Sequence, residues 1–395
     1  MNKFWQNLKS ILVKDRRMMM FSIIRGLAAI LIALGVGAIF IFLTIYINTD
    51  DKSQTFSKGL EALKYMLIGP LFTTKAGVVS FNTMNFYQIL AAMIPTIFTG
   101  LAVCVMFSAN QFNLAGEGVC MTGGFVAALC GIYLSTGTAL DPFICIIVAA
   151  VVGGVIMLIP AFLKVKIGAS EMVTTLMLNY VLMYLILHFL NFNFADRSKG
   201  STQTYAFAES ARIPALVEGG SKLNWGFVVA LVFVVIIALF MFRTRWGYSI
   251  RMIGINQSFS QYSGMKVGSA IVLSQVIGGV LSGIGGGIEV LGRYSTFLWK
   301  ELPGYGWTGV TIAILAKNNP IFVPFAALFM AYLNKGCMLM STYCDIPSEM
   351  IDIIQAAIFL FFAAEQFLSK YRQKLVVKSA KEELAHIAKG GAENA

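Results

Sequence analysis

The sequence predicts an all-α polytopic membrane protein of about ten transmembrane helices. Three observations carry that reading. Hydrophobic residues make up 57% of the chain and charged residues only 12%, whereas soluble domains are about half apolar and about a quarter charged. Apolar runs recur over nearly all 395 residues, and mean hydropathy is +0.75. Lys and Arg divide unevenly between the two sides that an alternating topology creates. A span needs about 20 apolar residues, so little sequence is left for a soluble catalytic domain.

The elements follow in order. Residues 1–19 carry Lys3, Lys9, Lys14, Arg16 and Arg17 ahead of a long apolar run, which reads as a cytoplasmic segment before a retained first span rather than a cleaved signal. The apolar runs are 20–47, 86–106, 114–134, 142–163, 171–191, 224–242, 268–291, 305–317, 320–340 and 348–368. With the N-terminus inside, the inner segments hold 18 Lys and Arg and the outer segments 10. The outer charges fall mostly in the long 48–85 and 192–223 loops, where the positive-inside bias weakens. Both termini are therefore expected in the cytoplasm, with 369–395 as a cytoplasmic tail. The net charge of +11 reflects this anchoring rather than nucleic-acid binding. The six cysteines form no C-x-x-C pair and lie mostly in apolar runs; with only His188 and His386 as histidines, no metal site is expected.

Two runs begin abnormally. Residues 107–113 form an inner connection without Lys or Arg, followed by Leu114-Ala115-Gly116-Glu117-Gly118. The eighth run opens with Gly304-Tyr305-Gly306-Trp307-Thr308-Gly309. Glycine-rich polar backbone at membrane depth is tolerated where protein or a water-filled cavity surrounds it. The third and eighth spans are therefore expected to be broken. They hold matching places in two five-span halves of opposite direction, a 5+5 inverted repeat of the kind that builds transport sites.

Five stretches resemble permease subunits of ABC importers in the branched-chain amino acid/ribose-type superfamily, nucleoside subgroup. They are Phe112 to Gly118; Glu171 to Tyr180, where Ser170 stands in place of the usual Asn; Thr244 to Gly264, where Ser260-Gln261 replaces Ala-Ala and Ser258 replaces Glu or Lys; Gly304 to Pro320; and Pro347 to Gln355. The resemblance spans about 110–360. It implies a permease domain over 20–368 working with a second permease subunit, commonly a paralogue, with cytoplasmic ATPases, and with an extracytoplasmic substrate-binding lipoprotein, in a bacterial plasma membrane. No G-x-x-x-x-G-K-[ST] phosphate loop occurs in the chain, so ATP and Mg²⁺ would reside on the ATPases and this chain would carry no cofactor and catalyse no covalent step.

The 243–266 loop is polar and basic, and Asn256-Gln257-Ser258 can open a short capped helix. It is expected to receive force from the ATPase, through Arg251, Asn256, Gln257, Tyr262 and Gly264; the plainer alternative is a positive-inside anchor. The substrate-path candidates are Asn113, Glu117, Thr175, Asn179, Glu289, Trp307 and Gln355. All but Gln355 have a structural alternative. Glu117 can cap backbone N–H groups at the break. Thr175 and Asn179, four apart on one helix face, can join helices. Glu289 can pair with Arg293, and Trp307 can belong to an interfacial aromatic belt. Nucleoside import by alternating access is the expected function. The rivals are an ABC permease for ribose or another simple sugar, and an ion-coupled secondary transporter using Glu117 or Glu289 as its coupling carboxylate.

Overall fold

The computed structural model describes residues 31–32, 34–47, 55–75, 78–200, 202–217, 220–344, 346–347 and 349–363. The 1–19 segment, the start and end of the first and last apolar runs, and the 369–395 tail lie outside the described residues. Two compact units are distinguished, Ile45–Ile351 and a second built from the chain on either side of it. In the second unit α1 (Leu34–Ile47) meets α13 (Met350–Ala363) where Gly37 leaves room for Ile354, whose Cγ1 lies 2.7 Å from where a Cβ would stand.

In the first unit the helices are α2 (Thr55–Leu67), α3 (Thr83–Ser108), α4 (Gly116–Tyr133), α5 (Asp141–Phe162), α6 (Glu171–Phe189), α7 (Gly226–Arg243), α8 (Arg245–Ile255), α9 (Gln257–Tyr262), α10 (Val267–Arg293), α11 (Tyr305–Leu315) and α12 (Val323–Cys344). Each of the ten apolar runs overlaps a helix. Seven helices among the described residues are long and apolar enough to cross a membrane, while Leu34–Ile47 and Tyr305–Leu315 are shorter. Burial sorts the spans: α3 and α4 are largely enclosed, and α6 and α7 turn most of their surface outward.

The third span is broken where expected. α3 ends at Ser108, Asn110 takes a left-handed φ of 55°, and α4 starts only at Gly116. Asn tolerates that conformation better than most residues. The eighth span starts late, after Gly304 at φ 82°, and α11 runs only to Leu315 before Lys317 and Asn318 both turn left-handed. Packing respects the proposed repeat: α3 lies against α11 and α12, and α10 against their counterparts α4 and α5. The glycines of 282–287 serve close packing, since a Cβ on Gly283 would strike the Ala149 carbonyl of α5 and one on Gly123 of α4 would lie 2.7 Å from the Gly283 Cα.

Two parts of the fold were not foreseen. The 48–85 connection contains α2, which buries Gly59, Ala62 and Met66 on one face and packs on α12, and a short antiparallel hairpin, β1 (Phe72–Lys75) with β2 (Val78–Phe81). The 192–223 loop is fixed as well. Thr204 and Phe207 donate backbone N–H bonds to Phe297 and Ser295, and Phe207, Ala211 and Phe297 join Phe125 of α4 in a buried cluster.

Candidate functional site

The two breaks meet inside the first unit, and the buried polar side chains of the membrane region converge on them. A helix start leaves backbone N–H groups without partners, which water cannot supply at membrane depth. Side chains supply the partners here. The Asn113 Oδ1 accepts from Ala115 N–H at 2.8 Å, and its Nδ2 donates to the Gln275 Oε1 at 3.2 Å. The Thr175 Oγ1 accepts from Leu114 N–H at 3.0 Å and donates to its own helix at the Glu171 carbonyl. Asn179 works both ways: its Oδ1 accepts from Gly118 N–H at 2.8 Å and its Nδ2 donates to the Leu114 carbonyl at 2.9 Å. α6 thus stitches the start of α4 from one side and α10 from the other.

Glu117 stands in the first turn of α4, where a carboxylate complements the positive end of the helix. Its two oxygens accept from the N–H groups of Gly304, Gly306 and Trp307, the last at 3.2 Å. The carboxylate of one broken helix therefore caps the start of the other. Thr99 of α3 completes the joint by donating to the Tyr305 carbonyl at 2.9 Å. Above it, Glu289 accepts from Arg293 at 2.9 Å and from the Tyr305 hydroxyl at 2.8 Å. Glu117, Asn113, Thr175, Asn179 and Glu289 are each at most 2% exposed, so in this conformation they bind the protein to itself.

The remaining path candidates lie apart. Trp307 is half exposed, with its backbone held by Glu117, and Trp299 packs edge-on against Tyr305. Gln355 is half-buried on α13, in the other unit. The sequence reading does not place Thr99, Gln275 or Ser282 among the site candidates, and takes Ser282 only as a small packing residue. The signal was present on α10, where Gln275, Ser282 and Glu289 recur every seven residues and so share a helix face. All three are buried, and among the described residues neither the Gln275 Nε2 nor the Ser282 Oγ has a hydrogen-bond partner.

The 243–266 loop folds as two short helices. Thr244 caps α8 by accepting from Gly247 N–H at 3.1 Å. Asn256 caps α9 by accepting from Phe259 N–H at 2.9 Å, and Gly264 ends that turn at φ 78°. The Arg251 guanidinium lies 5.3 Å from the Phe242 ring centroid. Gln257 is exposed, and Ile255, Phe259 and Tyr262 are all exposed too, Tyr262 at 92%. On its other side α8 touches the break: a Cβ on Gly254 would collide with the Ser108 carbonyl and lie 3.3 Å from the Asn110 nitrogen.

Comparison with known proteins agrees with this architecture. The family model described as "Branched-chain amino acid transport system / permease component" matches residues 85–363. The chain is 31% identical over 289 residues to the guanosine ABC transporter permease protein NupP of Bacillus subtilis (strain 168), covering 72% of this chain and 83% of that protein. It is 29% identical over 290 residues to the nucleoside ABC transporter permease protein NupB of Lactococcus lactis subsp. cremoris (strain MG1363), covering 71% and 79%. It is also 29% identical over 295 residues to the glucose ABC transporter permease protein TsgB13 of Haloferax volcanii, covering 72% and 77%. No solved structure matches the chain.

Proposed function

The chain belongs to the branched-chain amino acid transport system / permease component family, and from that premise we propose that it is the multi-pass permease subunit of an ABC importer that brings nucleosides into the cell by alternating access. The observation that carries this reading is the reach of the family match and of the likeness to NupP and NupB. The family match, over residues 85–363, runs through both helix breaks and the α8–α9 pair, and the likeness to NupP and NupB covers 72% and 71% of the chain. ATP and Mg²⁺ belong on separate ATPase subunits. A second permease, a paralogue of this chain, completes the path, and an extracytoplasmic binding lipoprotein delivers the substrate. Both termini lie in the cytoplasm.

The α8–α9 pair is the contact for the ATPase. Its capped helices are stiff enough to transmit a push, and the exposed Ile255, Phe259 and Tyr262 form the kind of apolar patch that marks a protein contact. The occupied carboxylates count against a secondary carrier. Glu117 is engaged by three backbone donors and Glu289 by Arg293 and Tyr305, which leaves neither free to take up a coupling ion. A simple sugar as cargo is the second reading, favoured by the likeness to TsgB13.

The test is uptake of radiolabelled guanosine, adenosine, uridine and ribose by cells with and without the gene, with the proton gradient collapsed and ATP maintained. Gene-dependent nucleoside uptake is expected to survive. Loss with the gradient would move the chain to the secondary carriers, and ribose uptake alone would change the cargo. Deletion of 250–264 should abolish uptake while leaving membrane insertion intact.

A further inference from the structure

We infer that the outward face of α6, lined by Met177, Tyr180, Tyr184 and His188, is a wall of the substrate path, and that the Tyr180 and Tyr184 rings stack on the nucleobase; this rests on the nucleoside reading above. The inference begins from a contrast among the spans that turn most of their surface outward. The exposed side chains along the middle of α5 are Ile147, Val151, Val155 and Ile159, and along α7 they are Leu231, Val232, Val235, Ile236 and Leu239. These are faces made for lipid. α6 exposes aliphatic side chains too, Val173, Val181 and Leu185, but sets among them Tyr180 at 50% exposed, Tyr184 at 65% exposed, and an exposed His188. The last three recur every four residues, so they form one stripe. At about 100° per residue Tyr184 points about 180° away from Thr175, the residue that stitches α6 to the break. One face of α6 holds the protein together, and the opposite face sets two tyrosine rings with polar tips among aliphatic side chains.

Depth excludes an interfacial belt. With its continuation to Phe194, α6 is 24 residues long, or about 36 Å at ~1.5 Å per residue. Counted from Glu171, Tyr180 lies about 14 Å along and Tyr184 about 20 Å, both well inside a hydrocarbon core of about 30 Å. Belt aromatics sit at the ends of spans. His188 lies nearer the outer end, beside the Phe192 ring at 4.9 Å. Among the described residues neither tyrosine hydroxyl has a hydrogen-bond partner in this chain. Facing lipid, each would forfeit its hydrogen bonds to water at a cost of several kcal/mol. The stripe therefore meets water or another polar surface. Its chemistry suits a neutral, flat and polar cargo: an aromatic ring takes a base face without regard to base identity, and the hydroxyl tips can reach the base edge or the ribose. No charged side chain lies among Met177, Tyr180 and Tyr184 to repel or trap such a cargo.

The test uses the assembled importer in membranes. Tyr180→Cys and Tyr184→Cys are treated with a membrane-impermeant methanethiosulfonate reagent, with Val151→Cys and Val235→Cys as lipid-facing references. The six native cysteines, five of them buried, set the background. Both tyrosine positions are expected to react at least about tenfold faster than the references, and guanosine delivered by the receptor should slow the reaction. In transport, Tyr180→Ala and Tyr184→Ala should each lower kcat/KM for guanosine by about 5-fold to 100-fold, as a lost stacking platform does, while the Phe variants keep most of it. Unreactive cysteines in an assembled complex would overturn the inference. So would full guanosine uptake by both Ala variants, or loss of the second permease on purification of the Ala variants, which would make the face a dry subunit contact. If the wild-type complex moves no nucleoside, the cargo assignment above falls and base stacking falls with it, whereas cysteine reactivity still decides whether this face is the path.

Discussion

Replacing Glu117 by Ala tests the reasoning about the helix breaks most directly. The substitution removes the shared acceptor of three N–H groups, those of Gly304, Gly306 and Trp307, at a site where Glu117 is 1% exposed. A buried donor left without a partner costs about 1–3 kcal/mol, so three set a range of about 3–9 kcal/mol. Losing the carboxylate also removes its own desolvation penalty, which places the expected effect toward the low end. Even that is a large share of a stability of about 5–15 kcal/mol. Glu117→Gln keeps one carbonyl oxygen, enough for one or two of the donors, and should cost less than half as much. The assay pairs thermal unfolding of the purified complex with amide hydrogen exchange. Glu117→Ala should lower the midpoint by several degrees and raise exchange at residues 304–307 before elsewhere. Unchanged midpoint and unchanged protection at 304–307 would refute the capping account. A Glu117→Gln variant of wild-type stability that transports nothing would show instead that the carboxylate acts on the cargo.

Three further outcomes follow from the same geometry. Asn179→Ala orphans the Gly118 N–H and the Leu114 carbonyl and should destabilise the protein by about 2–5 kcal/mol, read as reduced yield and a lower unfolding midpoint; Asn179→Asp should recover part, because it still accepts from Gly118. Asn256→Ala removes the cap of α9, a local loss of about 0.5–2 kcal/mol, and should lower uptake and substrate-stimulated ATP hydrolysis together without changing membrane insertion. Gly254→Val places methyl groups against the Ser108 and Asn110 backbone and should reduce uptake at least about tenfold in a protein that still inserts, if overpacking costs its usual 1–3 kcal/mol or so; a transport assay on membranes with matched protein levels decides it.

Much of the fold was legible because membrane depth leaves few solutions for the backbone. Every apolar run overlaps a helix, and the uncharged 107–113 connection with its glycine-flanked Glu117 marked a break. The N-cap of α9 was readable from Asn256 because capping is local. Non-local partners were less accessible. Glu117 was foreseen as a cap for nearby N–H groups, yet the groups it caps lie some 190 residues away in sequence. Nothing around residue 117 encodes that distance. The Glu289–Arg293 pair was visible as an i,i+4 contact, but its third member, Tyr305, was not. α2 escaped notice because its apolar stripe is narrow: Gly59 and Ala62 are small and count little in a hydropathy reading, and only packing on α12 makes them core.

The two breaks share one joint, and that has a mechanical consequence. α4 begins at Gly116 with Asn113, Thr175 and Asn179 around it, and α11 begins at Tyr305 with its amides on Glu117, so neither start can move far without disturbing the other. The α8 helix rests on Ser108 and Asn110 through Gly254, which puts the contact proposed for the ATPase one short segment away from Asn113. A displacement of α8 is therefore applied to the end of α3 and the start of α4, and α6, bonded to that start through Thr175 and Asn179, is carried along. The outward stripe of α6 is the opposite face of the same rigid rod. Hydrogen bonds at Leu114 and Gly118 thus connect force applied at α8 to a change in what Tyr180 and Tyr184 present, without requiring any residue in the joint to touch the cargo. The burial of the joint and the exposure of the stripe divide the work between them: the hydrogen-bonded side chains of Glu117, Thr175 and Asn179 hold the spans in register, and the exposed tyrosines of α6 are the groups proposed to meet the substrate.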